Sequence, residues 1–290
     1  MEVDFEREQL WWNAKAHKEE RDLADEAINR ALRWRVIERH LDGIETILYV
    51  GGGTGAFSIP LAERRFTVTH VGFSSRILDL AREKAGDGRF IQFVYANATN
   101  LSRFADCSFD LVLNMDGAIS FSGSQAEKAI LESVRVTRKK LIVTVTNRAL
   151  MSSVFCSAGL EVSGRFVDAL LAKWERGEWH QSRFADNPQL SKRTTQDYCG
   201  ALKAFLRGEL RGILEGAGMK VVRCGGQGSL ALLCGRETAD RVTRDAGLFE
   251  HFVDLCERYD RKVMPDGQGT RQRAGLVGVA EREDCPSAGS

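Results

Sequence analysis

Between residues 47 and 145, short apolar runs alternate with amphipathic stretches, and this alternation constrains the fold more than any other feature of the chain. The apolar runs have the length and composition of buried strands and fall at 47–50, 68–71, 90–95, 109–114 and 141–145. Polar stretches of helical spacing separate most of them, and no tight hairpin turn joins one to the next. Parallel strands require such crossovers. The pattern therefore predicts a doubly wound, mostly parallel α/β sheet with helices on both faces.

The alternation stops after residue 147, which divides the chain into predicted segments. They are a helical N-terminal segment (1–45), an α/β core (46–147), a helical lid insertion (148–215), a part that completes the sheet (216–281) and a loose tail (282–290). Runs at 220–223 and 274–280 would supply the last two of seven strands. We expect one domain with a helical insertion.

Composition excludes several classes of function. The 41 Lys+Arg residues balance 40 Asp+Glu residues, so the net charge of +1 gives no field that would favour nucleic acid or an anionic membrane. No apolar run approaches the roughly 18 residues of a membrane span, and the N-terminus lacks a secretory pattern. The seven cysteines form no CxxC pair, which argues against a disulfide framework and a zinc site. We expect a reduced, cytoplasmic protein without metal, nucleic-acid or membrane partners.

Residues 51–55 read Gly-Gly-Gly-Thr-Gly, directly after the first predicted strand and before a helix. Glycine allows sharp turns and lets a ligand approach main-chain N–H groups, and the following helix N-terminus favours an electron-rich ligand. The P-loop pattern GxxxxGK[ST] is absent, which excludes a P-loop NTPase. The loop alone is also compatible with a dinucleotide-binding fold.

Four segments, in order, make the stretch from 47 to 145 resemble class I S-adenosylmethionine (SAM)-dependent methyltransferases. They are the glycine loop, residues 73–78 (FSSRIL), Asn97-Ala98 and residues 108–113 (SFDLVL). The resemblance implies a Rossmann-like seven-stranded sheet, with SAM or its product S-adenosylhomocysteine as the cofactor. The implied cofactor-binding residues are Gly51, Gly53, Thr54, Gly55, Gly72, Phe73, Ser74, Asn97, Ala98, Asn114 and Met115.

By the same resemblance, the glycines would pass beneath the methionine part of SAM, and Gly72 and Phe73 would meet the ribose and adenine. Asn97 would bond the adenine amino group while the Ala98 amide meets the ring. Residues 114–116 would face the sulfonium and the acceptor. This placement agrees with the rule that open α/β sheets bind ligands beyond the carboxyl ends of their strands.

Two positions depart from the family pattern. Tyr49 and Gly72 stand where the family usually has acidic residues, and the second of these acids accepts both ribose hydroxyls. Loss of one charge-assisted hydrogen bond costs about 1.5–3 kcal/mol. Asp42, Glu45, Ser74 and Ser75 are candidates to compensate.

Methyl transfer needs a base only if the acceptor atom carries a proton when it binds. His180, in the aromatic-rich sequence WERGEWHQ, is the preferred base, and a surface lid histidine is the alternative. Asp116, just after the fourth strand, would accept a proton, orient an amine or cap a loop. Trp11 and Trp12 would either cover the cofactor or anchor the N-terminal segment.

The predicted function is methyl transfer from SAM to an O-, N- or C-nucleophile of a small molecule by in-line displacement. The first alternative is a repurposed fold that cleaves or cyclises SAM or catalyses a non-methylating reaction. The second is a non-catalytic binding protein. An NAD-dependent oxidoreductase ranks last, because it leaves Asn97-Ala98 and residues 108–113 unexplained.

Overall fold

A computed structural model describes residues 3–16, 24–115, 117–149, 177–180, 201–262, 275–283 and 285. The helices are α1 (Phe5–Lys15), α2 (Ala24–Glu38), α3 (Ser58–Glu63), α4 (Ser75–Ala85), α5 (Ala126–Val136), α6 (Arg207–Gly216), α7 (Ser229–Val242) and α8 (Ala246–Lys262). The strands are β1 (Thr46–Val50), β2 (Thr67–Gly72), β3 (Ile91–Tyr95), β4 (Phe109–Asn114), β5 (Thr137–Asn147), β6 (Glu178–His180), β7 (Ala201–Phe205), β8 (Lys220–Gly226) and β9 (Gly275–Glu281). A short 3-10 segment, Ser120–Gln125, leads into α5.

Seven of these strands form the sheet that the sequence predicts, in the order β3-β2-β1-β4-β5-β9-β8. The first five are parallel, and β9 runs antiparallel to both β5 and β8. After β1 the chain adds β2 and β3 on one side of the sheet, and after β4 it adds β5 on the other side. The carboxyl ends of the neighbours β1 and β4 therefore border the crevice where such sheets bind ligands. The doubly wound α/β prediction is confirmed.

Side chains of β1 alternate between two hydrophobic layers. Leu48 and Val50 pack in the layer that includes α5 and α6, and Ile47 and Tyr49 pack in the layer that includes α2 and α3. This alternation follows from the two-residue period of a strand. A third cluster joins α2 to α7 and α8. The sheet therefore holds its carboxyl ends rigidly from both faces.

The described part of the predicted helical insertion contains strands as well as a helix. β7 pairs in parallel with the last two residues of β5 and antiparallel with β6. Within the predicted helical insertion, the helix α6 begins only at Arg207, because residues 201–205 pair as a strand and bury Phe205. The purely helical prediction is wrong at β6 and β7.

The cysteine prediction is wrong for one pair. Cys107 and Cys285 form a disulfide across 178 residues of sequence. The chain that follows β9 reaches the start of β4. Just before the disulfide, the amide of Arg282 also donates to the carbonyl of Lys139 in the neighbouring strand β5 (2.8 Å). The chain is thus attached as far as Cys285, although the sequence indicated a loose tail from residue 282.

Candidate cofactor and acceptor cleft

A large cleft opens at the carboxyl ends of β1, β2 and β4. It encloses about 1280 Å³ of space, counting its open mouth. The cleft contains most of the predicted cofactor residues, namely Gly51, Gly53, Thr54, Gly72, Phe73, Ser74, Asn97 and Ala98. The fold therefore brings together residues that lie up to 47 positions apart, counted from Gly51 to Ala98.

The glycine loop is shaped so that space remains above it. Gly51 has φ +69° and Gly53 has φ +56°, a left-handed conformation that glycine adopts without strain. A Cβ at Gly51 would lie 2.5 Å from the Ala118 Cβ, whereas a Cβ at Gly53 would have no atom within 4 Å. Gly51 thus permits close packing against the chain after β4, and Gly53 borders open cleft. This is the room that a ligand approaching the loop needs.

Gly55 lies at the end of the glycine loop, and its predicted contact with the cofactor stays a prediction. The residue does not line the cleft, and a Cβ there would lie 2.5 Å from the Ile59 side chain. With φ +94°, Gly55 makes the turn into α3.

The turn after β2 forms the next wall. Phe73 meets Phe5 edge-on with ring centroids 5.9 Å apart and stacks on Tyr95. The Ser74 hydroxyl caps α4 by accepting from the Ile77 amide (3.2 Å) and donates to Asn13 Oδ1 (2.6 Å). Ser74 therefore lines the cleft with a hydroxyl that the chain already uses.

The acids proposed to compensate for Tyr49 and Gly72 lie at the other end of the sheet. Asp42 and Glu45 precede the first residue of β1, and the Glu45 amide donates to Asp110 there. Ser75 is exposed and does not line the cleft. Of the four substitutes, only Ser74 is in position.

Tyr49 does not take the place of an acid at the ligand. Its side chain is 1% exposed and meets the rings of Phe57 and His70 edge-on. The side chain faces the hydrophobic layer beneath the loop, because β1 directs alternate residues to opposite faces.

Asn97 and Ala98 line the cleft as predicted. The Asn97 Oδ1 atom already accepts hydrogen bonds from the Thr99 amide and hydroxyl, both at 3.0 Å. Its bond to an adenine amino group stays a prediction, and that bond would share an oxygen that also shapes the turn.

The structure places Asn114 and Met115 outside the wall of the cleft. Asn114 is fully buried and donates from Nδ2 to Ser133 Oγ (2.9 Å), while Met115 packs in the layer below β1. Alternating side chains at the end of β4 thus face helices rather than ligand. Gly117, Ala118 and Phe121, just beyond, are the ones that face the cleft.

The two candidate catalytic side chains cannot be located. Asp116 and the side chain of His180 lie outside the described residues, and only the backbone of His180 is placed, in β6. Their catalytic roles stay predictions. Within the described ranges, no group of three or more His, Cys, Asp or Glu residues is arranged to hold a metal ion.

The N-terminal helices contribute a wall that was only partly predicted. Trp12 of α1 lines the cleft and meets Phe121 edge-on at 5.1 Å. Lining the cleft fits the first of the two roles predicted for the tryptophans, which is to cover the cofactor. Phe5 and Glu8, on the same face of α1, were not predicted. Their spacing of three and four residues in Phe5, Glu8 and Trp12 was the available signal.

Helix α1 is attached to both sides of the cleft. Gln9 Nε2 donates to the Tyr95 hydroxyl (2.6 Å) on one side, and Glu8 Oε1 accepts from the Ala201 amide (2.9 Å) of β7 on the other. The helix therefore spans the cleft.

Helix α2 adds charged and polar side chains to the cleft that the glycine loop borders. Glu26, Asn29, Arg30 and Arg33 line this part of the cleft, and Arg33 is only 7% exposed. Burying a guanidinium is costly unless negative charge or hydrogen bonds compensate. Both signs of charge are thus present beside the loop.

Comparisons with known proteins agree with this geometry. Residues 48–143 match the family model described as a methyltransferase domain. Over 125 residues the chain is 33% identical to a demethylmenaquinone methyltransferase from Renibacterium salmoninarum, a match that covers 40% of this chain and 49% of that protein. The chain therefore spans about half the length of the curated relative it matches.

Solved structures share the fold at low identity. A magnesium protoporphyrin IX methyltransferase from Synechocystis with bound S-adenosylhomocysteine has a TM-score of 0.51 at 17% identity, covering 89% of this chain and 83% of that one. A putative methyltransferase from Haloferax volcanii, in complex with the Trm112 activator, has a TM-score of 0.54 at 14% identity, covering 95% and 97%.

Fold, glycine loop and cleft are together similar to those of class I methyltransferases, the class whose cofactor is SAM. The matched segment, residues 48–143, is similar to a methyltransferase domain, in agreement with the sequence resemblance. None of the described helices is long and apolar enough to cross a membrane.

Proposed function

We propose that this protein transfers the methyl group of SAM to a small-molecule acceptor. The observation that carries the proposal is the open space bordered by Gly53 within the matched methyltransferase domain. The glycine loop would approach the cofactor there without a side chain between them.

The charged residues beside the loop suit the methionine end of SAM. That end carries an ammonium and a carboxylate, and Glu26, Arg30 and Arg33 supply both complementary signs in one part of the cleft. The adenosine end would then extend toward Phe73 and Asn97. This direction follows the sheet edge from β1 to β2 and β3.

The remaining wall supports a small acceptor with apolar or aromatic parts. Phe5, Trp12 and Phe121 present ring surfaces to the cleft, and such rings favour edge or face contact with other planar groups. Helix α1 spans the mouth, which favours a compact molecule over a polymer.

The reaction mainly requires positioning. Bound SAM would supply an electrophilic methyl group, and the chain would hold the acceptor atom in line with it and exclude water. His180 and Asp116 remain the proposed proton acceptors for a nucleophile that binds with its proton. Neither is required for an acceptor that is already deprotonated.

The test combines binding with product analysis. Calorimetry with SAM and with S-adenosylhomocysteine should show binding of both. SAM labelled in its methyl group should then transfer label to low-molecular-mass compounds from a cell extract passed through an ultrafilter. Consumption of SAM without methylated product would favour the repurposed-fold alternative. That alternative is retained because Tyr49 and Gly72 replace two acids of the family pattern. Absence of binding by either molecule would contradict the proposal.

A further inference from the structure

A buried imidazole lies directly beneath the glycine loop, and the proposed function leaves it without a role. His70 is fully buried on β2, in register with Tyr49 on β1 and Phe93 on β3. Its ring meets the Tyr49 ring edge-on at 6.1 Å and the Phe93 ring at 5.1 Å. These three rings form a row just below the carboxyl ends of the strands.

The His70 ring touches the loop on one side and the helix after the loop on the other. A Cβ at Gly52 would lie 2.4 Å from His70 Cε1 and 2.6 Å from Nδ1, so only glycine fits there. On the other side, Nδ1 lies 2.7 Å from the hydroxyl of Ser58, a fully buried residue at the start of α3. One side chain thus contacts both ends of the segment that would hold the cofactor.

The ring is neutral at physiological pH. Burial lowers the pKa of His70 to about 4, and the Gly53 backbone partly opposes this shift. Even so, Nε2 meets no partner in ordinary hydrogen-bond geometry among the residues that the structure describes. A neutral imidazole offers one donor and one acceptor.

Packing alone does not account for a histidine at this position. Tyr49 and Phe93 pack against the ring, and phenylalanine would fill the same space without burying polar nitrogens. A buried polar group destabilises the fold unless a hydrogen bond compensates. For His70, the described residues that compensate are Ser58 and the loop. The polar contacts of His70 are therefore directed at the cofactor-binding segment.

We propose that His70 is a positioning residue, which holds the glycine loop in its cofactor-binding conformation through Ser58 and through contact with Gly52. The inference rests on the proposed function. It places the residue that supports the loop on β2. In this chain β1 carries Tyr49, where the family usually has an acid. His70 acts through the loop and touches neither reactant.

The main test removes the hydrogen bond and keeps the shape. His70→Phe and Ser58→Ala should each weaken SAM binding about tenfold, measured by calorimetry. The double variant should bind no more weakly than either single variant, because both changes break the same hydrogen bond. In ligand-free protein, hydrogen exchange across residues 48–60 should be faster in each variant.

Thr137→Val is the matched control. The Thr137 hydroxyl is also buried and donates to the Ser133 carbonyl (2.6 Å), but it lies at the other end of the sheet. This variant should lower the melting temperature and leave both the Kd for SAM and the exchange of residues 48–60 unchanged.

A second pair of variants keeps the inference testable if His70→Phe does not fold. Gly52→Ala should weaken SAM binding strongly, because the added methyl group meets the imidazole. Combining it with His70→Ala removes that ring and should recover at least about fivefold in Kd.

Lower melting temperatures with wild-type Kd and wild-type loop exchange in the His70 and Ser58 variants would show that His70 only packs, and would overturn the inference. If the wild-type protein binds neither SAM nor S-adenosylhomocysteine, the proposed function fails. Loop exchange in the ligand-free variants still decides in that case whether His70 holds the loop.

Discussion

Buried polar groups have opposite environments at the two ends of the strands of the central sheet, here called its amino edge and its carboxyl edge. At the amino edge, where β1–β5 begin, Asp110 is 1% exposed and pairs with Arg138 and Lys139 at 2.8 and 2.9 Å. At the carboxyl edge, where these strands end, the buried His70 is neutral and the loop above it borders open space. One edge is closed by paired charge, and the other keeps room for a ligand.

The disulfide strengthens this contrast, because Cys107 and Cys285 both lie at the amino edge. Stability and binding are therefore expected to separate along the strands. Substitutions at the amino edge should lower the free energy of unfolding without changing ligand affinity. Substitutions at the carboxyl edge should change affinity more than stability.

The largest expected effect is on binding at the carboxyl edge. Gly53→Val should weaken SAM binding at least about 100-fold, or about 2.7 kcal/mol, because the side chain would project into the cleft. The left-handed conformation at φ +56° should also cost about 1–2 kcal/mol of stability.

Gly86→Val is a matched control for that strain. Gly86 has φ +55° and also has no atom within 4 Å of an added Cβ, but it ends α4 away from the cleft. It should lose similar stability in thermal melts and bind SAM normally. Equal binding loss in both variants would contradict the assignment of the loop.

The next effect tests the covalent link at the amino edge. Cys285→Ser should lower the free energy of unfolding of the oxidised protein by about 2–4 kcal/mol, since the disulfide closes a long loop. The difference from wild type should disappear in reductant, and the Kd for SAM should stay constant. Cys234→Ser, at an exposed free cysteine, is the control. A difference that persists in reductant would show that the thiol contributes by packing.

Asp110→Asn tests the charge pairing at the same edge. Burial alone would raise the pKa of Asp110, but hydrogen bonds from Lys139, Arg138 and two backbone amides outweigh it and hold the pKa well below its usual range. The carboxylate therefore adds stability above its unfolded pKa of about 3.9, and that contribution is lost as the pH falls below this value. We expect a loss of about 2 kcal/mol at pH 7 and a much smaller one near pH 3.

Urea denaturation at both pH values measures this difference. Asp79→Asn provides the comparison, because Asp79 pairs with Arg82 while 62% exposed and should matter little at either pH. A pH-independent loss at Asp110 would mean that the charge is not what stabilises this edge.

The smallest effect should be a gain. Gly72→Asp should tighten SAM binding about tenfold, or about 1.4 kcal/mol, by restoring a carboxylate to the ribose. Gly72 is outside the left-handed region, so its backbone accepts aspartate, but an added Cβ would lie 2.9 Å from Cδ1 of the buried Leu78, which must shift and reduces the gain. Gly72→Asn should gain less, because it lacks the charge. A folded Gly72→Asp protein without any gain would show that the ribose is held elsewhere or that the site serves another ligand.

The strands of the parallel core could be predicted from sequence because each is a short apolar run bounded by polar residues. The run at 47–50, for example, became β1 (Thr46–Val50). The orientation of single side chains was harder. Asn114 was expected to face the ligand, yet it faces Ser133, since a shift of one residue at a strand end reverses the side that is exposed.

Contacts between distant segments were beyond prediction from one sequence. Nothing in the spacing of the cysteines relates Cys107 to Cys285, because the antiparallel insertion of β9 brings them together. The strand at β7 was missed for a similar reason. Its pairing partner is the end of β5, 58 residues earlier, counted from Ala204 to Thr146.

The bonds of α1 also fix when the cleft becomes complete during synthesis. The amide that meets Glu8 belongs to Ala201, 193 residues later in the chain. At about 5–20 residues per second, the ribosome needs about 10–40 s to make that distance. Helix α1 is therefore made before the strand β7 that it meets, and during that interval Glu8 lacks the Ala201 amide that it finally accepts from.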